Sequence, residues 1–337
     1  YRKKFLNLME IFFILNLFFL IIFYFFNLKA YKIASIINLF DKPNKRKIHK
    51  TKIPLIGGIL IWFVFGANLL TYQFFFNLEI VFLKFFLLST IFFFVGLIDD
   101  KFSLKANFRL FVLFFSSIFL YKLLNIREIE FILIDKIGLF HVYYGGIFLT
   151  VFCILLFQNS MNMIDGLNGL STSIFIGLLL FLLFKNQTTN NFIFIQLILF
   201  LLIFFIFNMG NKIFMGDSGI YFVSSFIGMS FIYLSQYQSN LTVNSIFLIM
   251  ILPGIDMFRL FIHRILNKKF PFNPDNNHIH HILLKKFSPN LSLILILGLS
   301  FFPIIFFEYL KINFVLILIL FFIAYFWLIN KKKRSKA

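Results

Sequence analysis

The sequence predicts an all-α, polytopic integral membrane protein of about eleven transmembrane helices. Three observations carry this. Of 337 residues, 61% are hydrophobic and the mean hydropathy is +0.93, more apolar surface than a soluble domain can bury. The apolar residues come in runs close to the roughly 20 residues needed to cross a bilayer. The net charge of +19 sits in the short loops between those runs. Membrane topology explains such placement better than nucleic acid does, so the membrane is an expected partner and nucleic acid is not.

The spans fall at about 8–28, 53–72, 79–98, 107–124, 146–163, 171–185, 192–208, 218–235, 245–263, 291–309 and 312–330, with 171–185 short. Ile11–Phe26 reads as part of the first span, not as a cleavable leader, because no small-residue cleavage site follows it. The loops are brief, so 1–337 reads as a single membrane domain with a basic tail at 331–337. Asn125–Gly146 is longer and predicts a small outer hairpin. The 58 phenylalanines accompany abundant Ile, Lys and Asn, a whole-sequence bias whose default use is core or lipid contact. Cys153 stands alone, which excludes an intramolecular disulfide and a cysteine metal site.

Lys and Arg crowd one alternating set of loops: Lys29–Lys52, Lys101 and Lys105, Lys212, Arg264–Lys286, and the tail from Lys331. That set is therefore cytoplasmic, the N-terminus outside and the C-terminus inside a plasma (inner) membrane. Arg2-Lys3-Lys4 argues the other way and is outvoted. Every polar motif then falls on the cytoplasmic side, which predicts an active site built from cytoplasmic loops.

Asn159–Ser171 is the densest of these motifs. Asn159, Asn162, Asp165 and Asn168 recur every third residue, which on a helix makes one polar stripe. Gly166 and Gly169 let a backbone or ligand come close. Such a row at the mouth of a span is costly unless used; the plainer alternative is a helix-terminal turn whose amides cap the backbone. The first loop carries Arg46, Lys47 and His49 ahead of Gly57-Gly58. Its cations suit phosphates on a lipid or nucleotide, or an ordinary anchor on anionic lipid.

Gly96…Asp99-Asp100 ends an apolar helix with two carboxylates that need not share a job. One suits Mg²⁺, which takes one or two carboxylates plus phosphates and water, and the other suits positioning or proton abstraction. Acids at a helix C-terminus oppose the macrodipole, although a solvated end paired with Lys101 is the alternative. Gly210–Gly219 places Lys212 and then Asp217 between glycines at a helix entrance, as an N-cap or a metal ligand. Asp256 and Arg259 sit at i, i+3, and His278, His280 and His281 follow in a loop. The lack of a Cys or further His at ligand spacing argues against a structural zinc site, and leaves phosphate binding or a bare surface loop. Acids for Mg²⁺ and bases for phosphate on one face are the equipment of phosphoryl transfer.

These blocks resemble the polyprenyl-phosphate N-acetylhexosamine-1-phosphate transferases, the MraY/WecA family, over about residues 41–290. They occur in family order: Asp41…Arg46-Lys47…His49…Gly57-Gly58; Gly96…Asp99-Asp100; Asn159…Asn162…Asp165-Gly166; Phe214–Gly219; Asp256…Arg259; His278…His280-His281. The resemblance implies that a polyprenyl phosphate attacks the β-phosphorus of a UDP-N-acetylhexosamine, releasing UMP, with Mg²⁺ (or Mn²⁺) required and a homodimer as the assembly. It implies Asp217 as metal ligand with Asp99, and Asp99 also as candidate base for the lipid phosphate. It implies Asp100 in support of lipid phosphate or metal, Asp165 and Asn162 at the nucleotide-sugar site, and His280 and His281 at the diphosphate. Arg46, Lys47, His49, Asn159, Asn168, Lys212, Asp256, Arg259 and His278 complete the expected substrate contacts. Asn168, Asn276 and Leu55 depart from the family pattern, where Asp, Arg and a basic residue are common. The His-x-His-His form resembles the WecA branch, which serves O-antigen, capsule or teichoic-acid synthesis, more than the branch that takes MurNAc-pentapeptide.

Two rivals differ in class. A transporter or flippase places polar groups near the midplane on broken helices, whereas here they collect at one face and Lys84 and Arg109 lie where they can snorkel. A catalytically inactive scaffold would make Asp99, Asp165 and Asp217 dispensable.

Overall fold

The computed structural model of the chain describes residues 2–43, 51–76, 79–123, 129–134, 138–142, 144–185, 191–237, 241–268 and 277–330. Helix α1 (Arg2–Leu28) is followed by α2 (Ala30–Ile37), bent 66° from it. A two-stranded antiparallel ribbon, β1 (Phe40–Asp41) and β2 (Ile53–Pro54), leads into α3 (Gly57–Phe76). Then come α4 (Ile80–Phe102), α5 (Ala106–Leu123), and a hairpin of β3 (Phe131–Ile134) and β4 (Gly138–His141). Helices α6 (Gly146–Ile164), α7 (Leu170–Lys185), α8 (Asn191–Met209) and α9 (Gly216–Tyr237) follow. The chain continues through α10 (Val243–Ile249), α11 (Ile251–Leu266), α12 (Ile279–Leu284), α13 (Pro289–Glu308) and α14 (Phe314–Asn330).

Each expected span contains a helix. Among the described residues, six helices are long and apolar enough to cross a membrane, or eight if each bent pair is one span. Three further apolar helices, including Leu170–Lys185 and Phe314–Asn330, are shorter. The protein is thus an all-α polytopic membrane protein. The span expected over 245–263 is not one helix, because α10 and α11 meet at a 69° bend. Pro253 explains the place of the break: it has no N–H to donate to the carbonyl of Ile249, four residues back. The predicted hairpin between α5 and α6 is present, with Phe131 opposite His141 and Ile134 opposite Gly138. Its root is tied down by Ile129 N–H to Thr150 Oγ1 (2.8 Å) and Glu130 N–H to Gln236 Oε1 (2.9 Å).

The helices end where their sequences allow. Asn38 and Ser103 take left-handed geometry to stop α2 and α4. Thr242 and Ser288 cap α10 and α13 through their hydroxyls, and Pro289 opens α13 where a missing N–H costs nothing.

The chain forms two compact units, Tyr1–Lys105 with Leu179–Phe226, and Ala106–Leu178 with Ile227–Ala337. In the first unit, α3 packs on α1, α4 and α8. The phenylalanines divide as expected: Phe23, Phe65, Phe85 and Phe194 are fully buried, whereas Phe74 is 82% exposed on an apolar outer surface. Phe65 meets Phe226 edge to face at 5.3 Å, a favoured aromatic geometry. In the second unit, α6 packs on α5 and α11, α13 on α10 and α14, and α12 on α13 and α14.

Glycine sets the closest approach. A Cβ on Gly58 would collide with the backbone of Gly219, whereas one on Gly254 would meet nothing within 4 Å. Gly58→Ala is expected to cost about 1–3 kcal/mol. Gly254→Ala, in a helix interior, is expected to be neutral or to gain up to about 1 kcal/mol. Thermal unfolding of the detergent-solubilised chain ranks the two, and equal midpoints would refute the contact.

Candidate functional site

In the first unit, three sequence-distant motifs converge. Phe214 N–H donates to the carbonyl of Pro54, and Gly57 and Gly58 N–H donate to the carbonyls of Phe214 and Met215, each at 2.9 Å. The segment ahead of Asp217 thus lies alongside β2 and the start of α3. From the other side comes the end of α4. Gly96 allows this approach, since a Cβ there would lie 2.6 Å from the Ser218 backbone.

Asp100 joins the two helix ends. Its Oδ1 accepts from Asp217 N–H (2.8 Å) and its Oδ2 from Ser218 N–H (3.1 Å), so it caps α9 from another helix. The field at the N-terminus of α9 offsets the unfavourable dipole at the end of α4. Gly216, with φ +76°, is obligatory here: a Cβ would sit 2.6 Å from Asp100 Oδ2. Asp99 is buried; its Oδ1 accepts from Leu104 N–H (2.7 Å) and its carbonyl from Ser103 N–H (2.8 Å). Asp217 is half-buried in the first turn of α9, where a carboxylate is favoured. Lys212 is exposed and rests its Nζ 5.7 Å from the Phe207 ring. Arg46, Lys47, His49 and Asn276 lie outside the described residues.

In the second unit, the polar stripe expected over Asn159–Asn168 is not one helix face. Helix α6 stops at Ile164, Asp165 leaves helical geometry, and Gly169 (φ +76°) turns the chain into α7. Asp-Gly and Asn-Gly pairs are strong turn formers, and here they outweigh the three-residue period. Asn159, still within α6, donates from Nδ2 to the Leu155 carbonyl (2.7 Å) four residues back. Asn162 is half-buried at the last turn of α6 and Asn168 lies in the turn. Asp165 is exposed but crowded by protein atoms. Desolvation pushes its carboxyl up to about 6, the Ser171 side chain opposes this, and open water screens the shift.

The histidines form a segment with an extended entry and one helical turn, α12, where a loop was expected. Asp256 organises it. Its Oδ1 accepts from Arg259 Nη2 and from the Tyr325 hydroxyl, both at 2.8 Å. Its Oδ2 faces His278 Nδ1 (3.1 Å) and accepts from Ile279 N–H (3.2 Å). Arg259 also donates from Nη2 to the Asn277 carbonyl (2.6 Å) and from Nε to Tyr325 Oη (2.8 Å). Asp256 is therefore taken up by protein groups on both oxygens and is 2% exposed. Tyr325, in the last helix, does not stand out in the sequence, because a lone Tyr in a run of Phe, Ile and Leu reads as apolar. A buried phenol needs a partner, and that was the available signal.

His280 is 2% exposed, and neither ring nitrogen has a hydrogen-bond partner among the described residues. Its ring lies parallel to His278 at 5.6 Å and tilted against His281 at 4.2 Å. Its Nε2 abuts Gly166, where a Cβ would collide with it, so the Asp165-Gly166 turn and the histidines are brought together. Burial, then repulsion from His281 and His278, lowers its pKa to about 3. The buried His280 imidazole is thus neutral at ordinary pH. His281 is half-buried. Among the described residues, no group of three His, Cys, Asp or Glu is placed to hold a metal by itself.

Two outcomes follow from these geometries. Asp100→Ala strips a two-bond cap and is expected to cost about 0.5–2 kcal/mol of stability, with Asp100→Asn, which keeps one acceptor, costing less. Equal unfolding midpoints for the wild type and Asp100→Ala would refute the cap. Neutral His280 takes up a proton on unfolding below pH about 6.5, so its contribution is present above that pH and lost as pH falls toward 3. The loss amounts to at most about 1.4 kcal/mol per pH unit. Unfolding midpoints at pH 7 and pH 5 are expected to differ more for the wild type than for His280→Asn, and an equal difference would refute a depressed His280.

Sequence comparison shows which known proteins the chain resembles. The model of glycosyl transferase family 4 matches residues 82–235, which include Asp99, Asp100, Asp165 and Asp217. The undecaprenyl-phosphate alpha-N-acetylglucosaminyl 1-phosphate transferase of Salmonella typhi is 31% identical over 280 residues, covering 76% of this chain and 72% of that protein. The proteins of the same name from Yersinia pestis and Escherichia coli K12 are 30% and 29% identical, each over 76% of this chain and 72% of their own length. The aligned length is about three-quarters of the chain, and the chain belongs to glycosyl transferase family 4.

Proposed function

We propose that the protein transfers N-acetylglucosamine-1-phosphate from UDP-N-acetylglucosamine to undecaprenyl phosphate, releasing UMP. The observation that carries this reading is the acid cluster at the head of α9. Asp100 spends both oxygens on the helix N-terminus and so fixes the turn from which Asp217 projects. Family membership and the names of the relatives support the substrate pair.

In the reaction, a lipid phosphate oxygen forms a bond to the β-phosphorus and the bond between that phosphorus and the α-phosphate oxygen breaks. The second pKa of a phosphate monoester is about 6, so the nucleophile is largely ionised at pH 7 and no strong base is needed. The obstacle is repulsion between anions. Asp217 and Asp99 would hold Mg²⁺, or Mn²⁺ in its place, and that ion would neutralise phosphate charge. Mg²⁺ takes one or two carboxylates and completes its shell with substrate phosphates and water. Asp165, exposed at its turn, is open to a polar ligand, and His278, oriented through Nδ1 by Asp256, presents its other ring edge. The crowding of Lys and Arg on one set of loops supports a cytoplasmic site, with the C-terminus inside.

The test uses the purified full chain in detergent with undecaprenyl phosphate, Mg²⁺ and UDP-N-acetylglucosamine, following UMP. Release that requires both lipid and Mg²⁺, and that falls about 100-fold or more in Asp217→Ala, is expected. Faster release from UDP-MurNAc-pentapeptide would overturn the sugar assignment. No release from any UDP-sugar would overturn the transferase reading.

A further inference from the structure

We propose that α14 is a latch that sets the histidine segment for transfer, with Tyr325 as its positioning residue and Lys286 as its second bolt. The activity consequence rests on the transferase reading above; the latch itself rests on geometry alone.

The segment 277–286 is tied to α14 at both ends. At its start, the Tyr325 hydroxyl donates to the same Asp256 carboxylate whose other oxygen takes His278 Nδ1 and Ile279 N–H. That hydroxyl also accepts from Arg259 Nε, and Arg259 in turn holds the Asn277 carbonyl. At its end, Lys286 Nζ donates to the carbonyls of Leu328 (3.0 Å) and Ile329 (2.5 Å) in the last turn of α14. Those carbonyls have no partner within the helix, and a cation there also meets the favourable end of the dipole. Both bolts are on α14, and they are only three residues apart on it. The orientation of the histidines is therefore referred to one short stretch of one helix.

Packing alone does not account for Tyr325. Its ring is fully buried and stacks on Phe321 at 5.8 Å and 14°, a place a phenylalanine would fill equally well in this apolar helix. A hydroxyl taken out of water and lipid contact there is unfavourable unless bonded. It is bonded twice, once as donor and once as acceptor, so its direction is fixed. A carboxylate held from four sides keeps the imidazole of His278 at one angle, and imidazole angle decides which nitrogen meets a ligand.

The experiment uses the full chain in detergent with Tyr325→Phe, Lys286→Met and Lys286→Arg. One readout is the rate of diethylpyrocarbonate modification at His278, followed by mass spectrometry, with exposed His141 as internal control. The other is UMP release, resolved into kcat and KM for the UDP-sugar. Tyr325→Phe and Lys286→Met are each expected to raise His278 labelling about fivefold, as for a lost hydrogen bond, with His141 unchanged. They are also expected to lower kcat/KM about tenfold, as lost supporting contacts do elsewhere, and Lys286→Arg restores both values. Wild-type labelling in both variants overturns the latch, and faster labelling with unchanged turnover overturns its role in transfer. If the wild type turns over no donor, the transferase reading fails, and the labelling decides the latch by itself.

Discussion

A carboxylate of one helix serving as the cap of another is the interaction on which the first unit depends. The end of α4 and the head of α9 would each be poor neighbours for the membrane boundary: one carries acids against its dipole, the other carries unpaired N–H groups. Asp100 resolves both with two hydrogen bonds. The solution demands backbone-to-backbone approach, and this is why Gly58, Gly96, Gly216 and Gly219 gather there. Asp217 is then displayed by structure that other residues maintain.

The second unit uses a carboxylate in a different way. Asp256 is buried beside a half-buried Arg259, a pairing whose net worth is small but whose disruption leaves a buried carboxylate short of a partner. Such a pair is better understood as a specifier of arrangement. Four donors converge on it from α11, α14 and the histidine segment, so Asp256 supports the histidines more directly than it could meet a substrate.

Much of this was legible in the sequence. Apolar runs near bilayer length located every long helix, since few other structures satisfy backbone groups in lipid. The motif blocks single out Asp99, Asp100 and Asp217 as candidates, and the structure adds that Asp100 caps the helix that carries Asp217. The errors arose where local chemistry and periodicity disagreed. The three-residue spacing of Asn159–Asn168 suggested a helix, but Asp165-Gly166 and Asn168-Gly169 form a turn. Pro253 inside an apolar run broke a span that hydropathy reads as continuous. Tyr325 and Lys286 were invisible for another reason. Their importance lies in partners some 40 to 70 residues away, which no local window contains.

The glycine-lined contact at the head of α9 has a counterpart in the outer surface. Phe74, Phe184 and Ile206 are 82%, 74% and 70% exposed, and lipid asks of them only that they be apolar. A genome drifting toward Phe and Ile codons can deposit its bias at such positions at no structural cost. It cannot do so at Gly58 or Gly216, where one added carbon meets backbone or carboxylate. The molecule thus separates a surface that asks only for apolar character from a backbone contact that asks for the absence of a side chain.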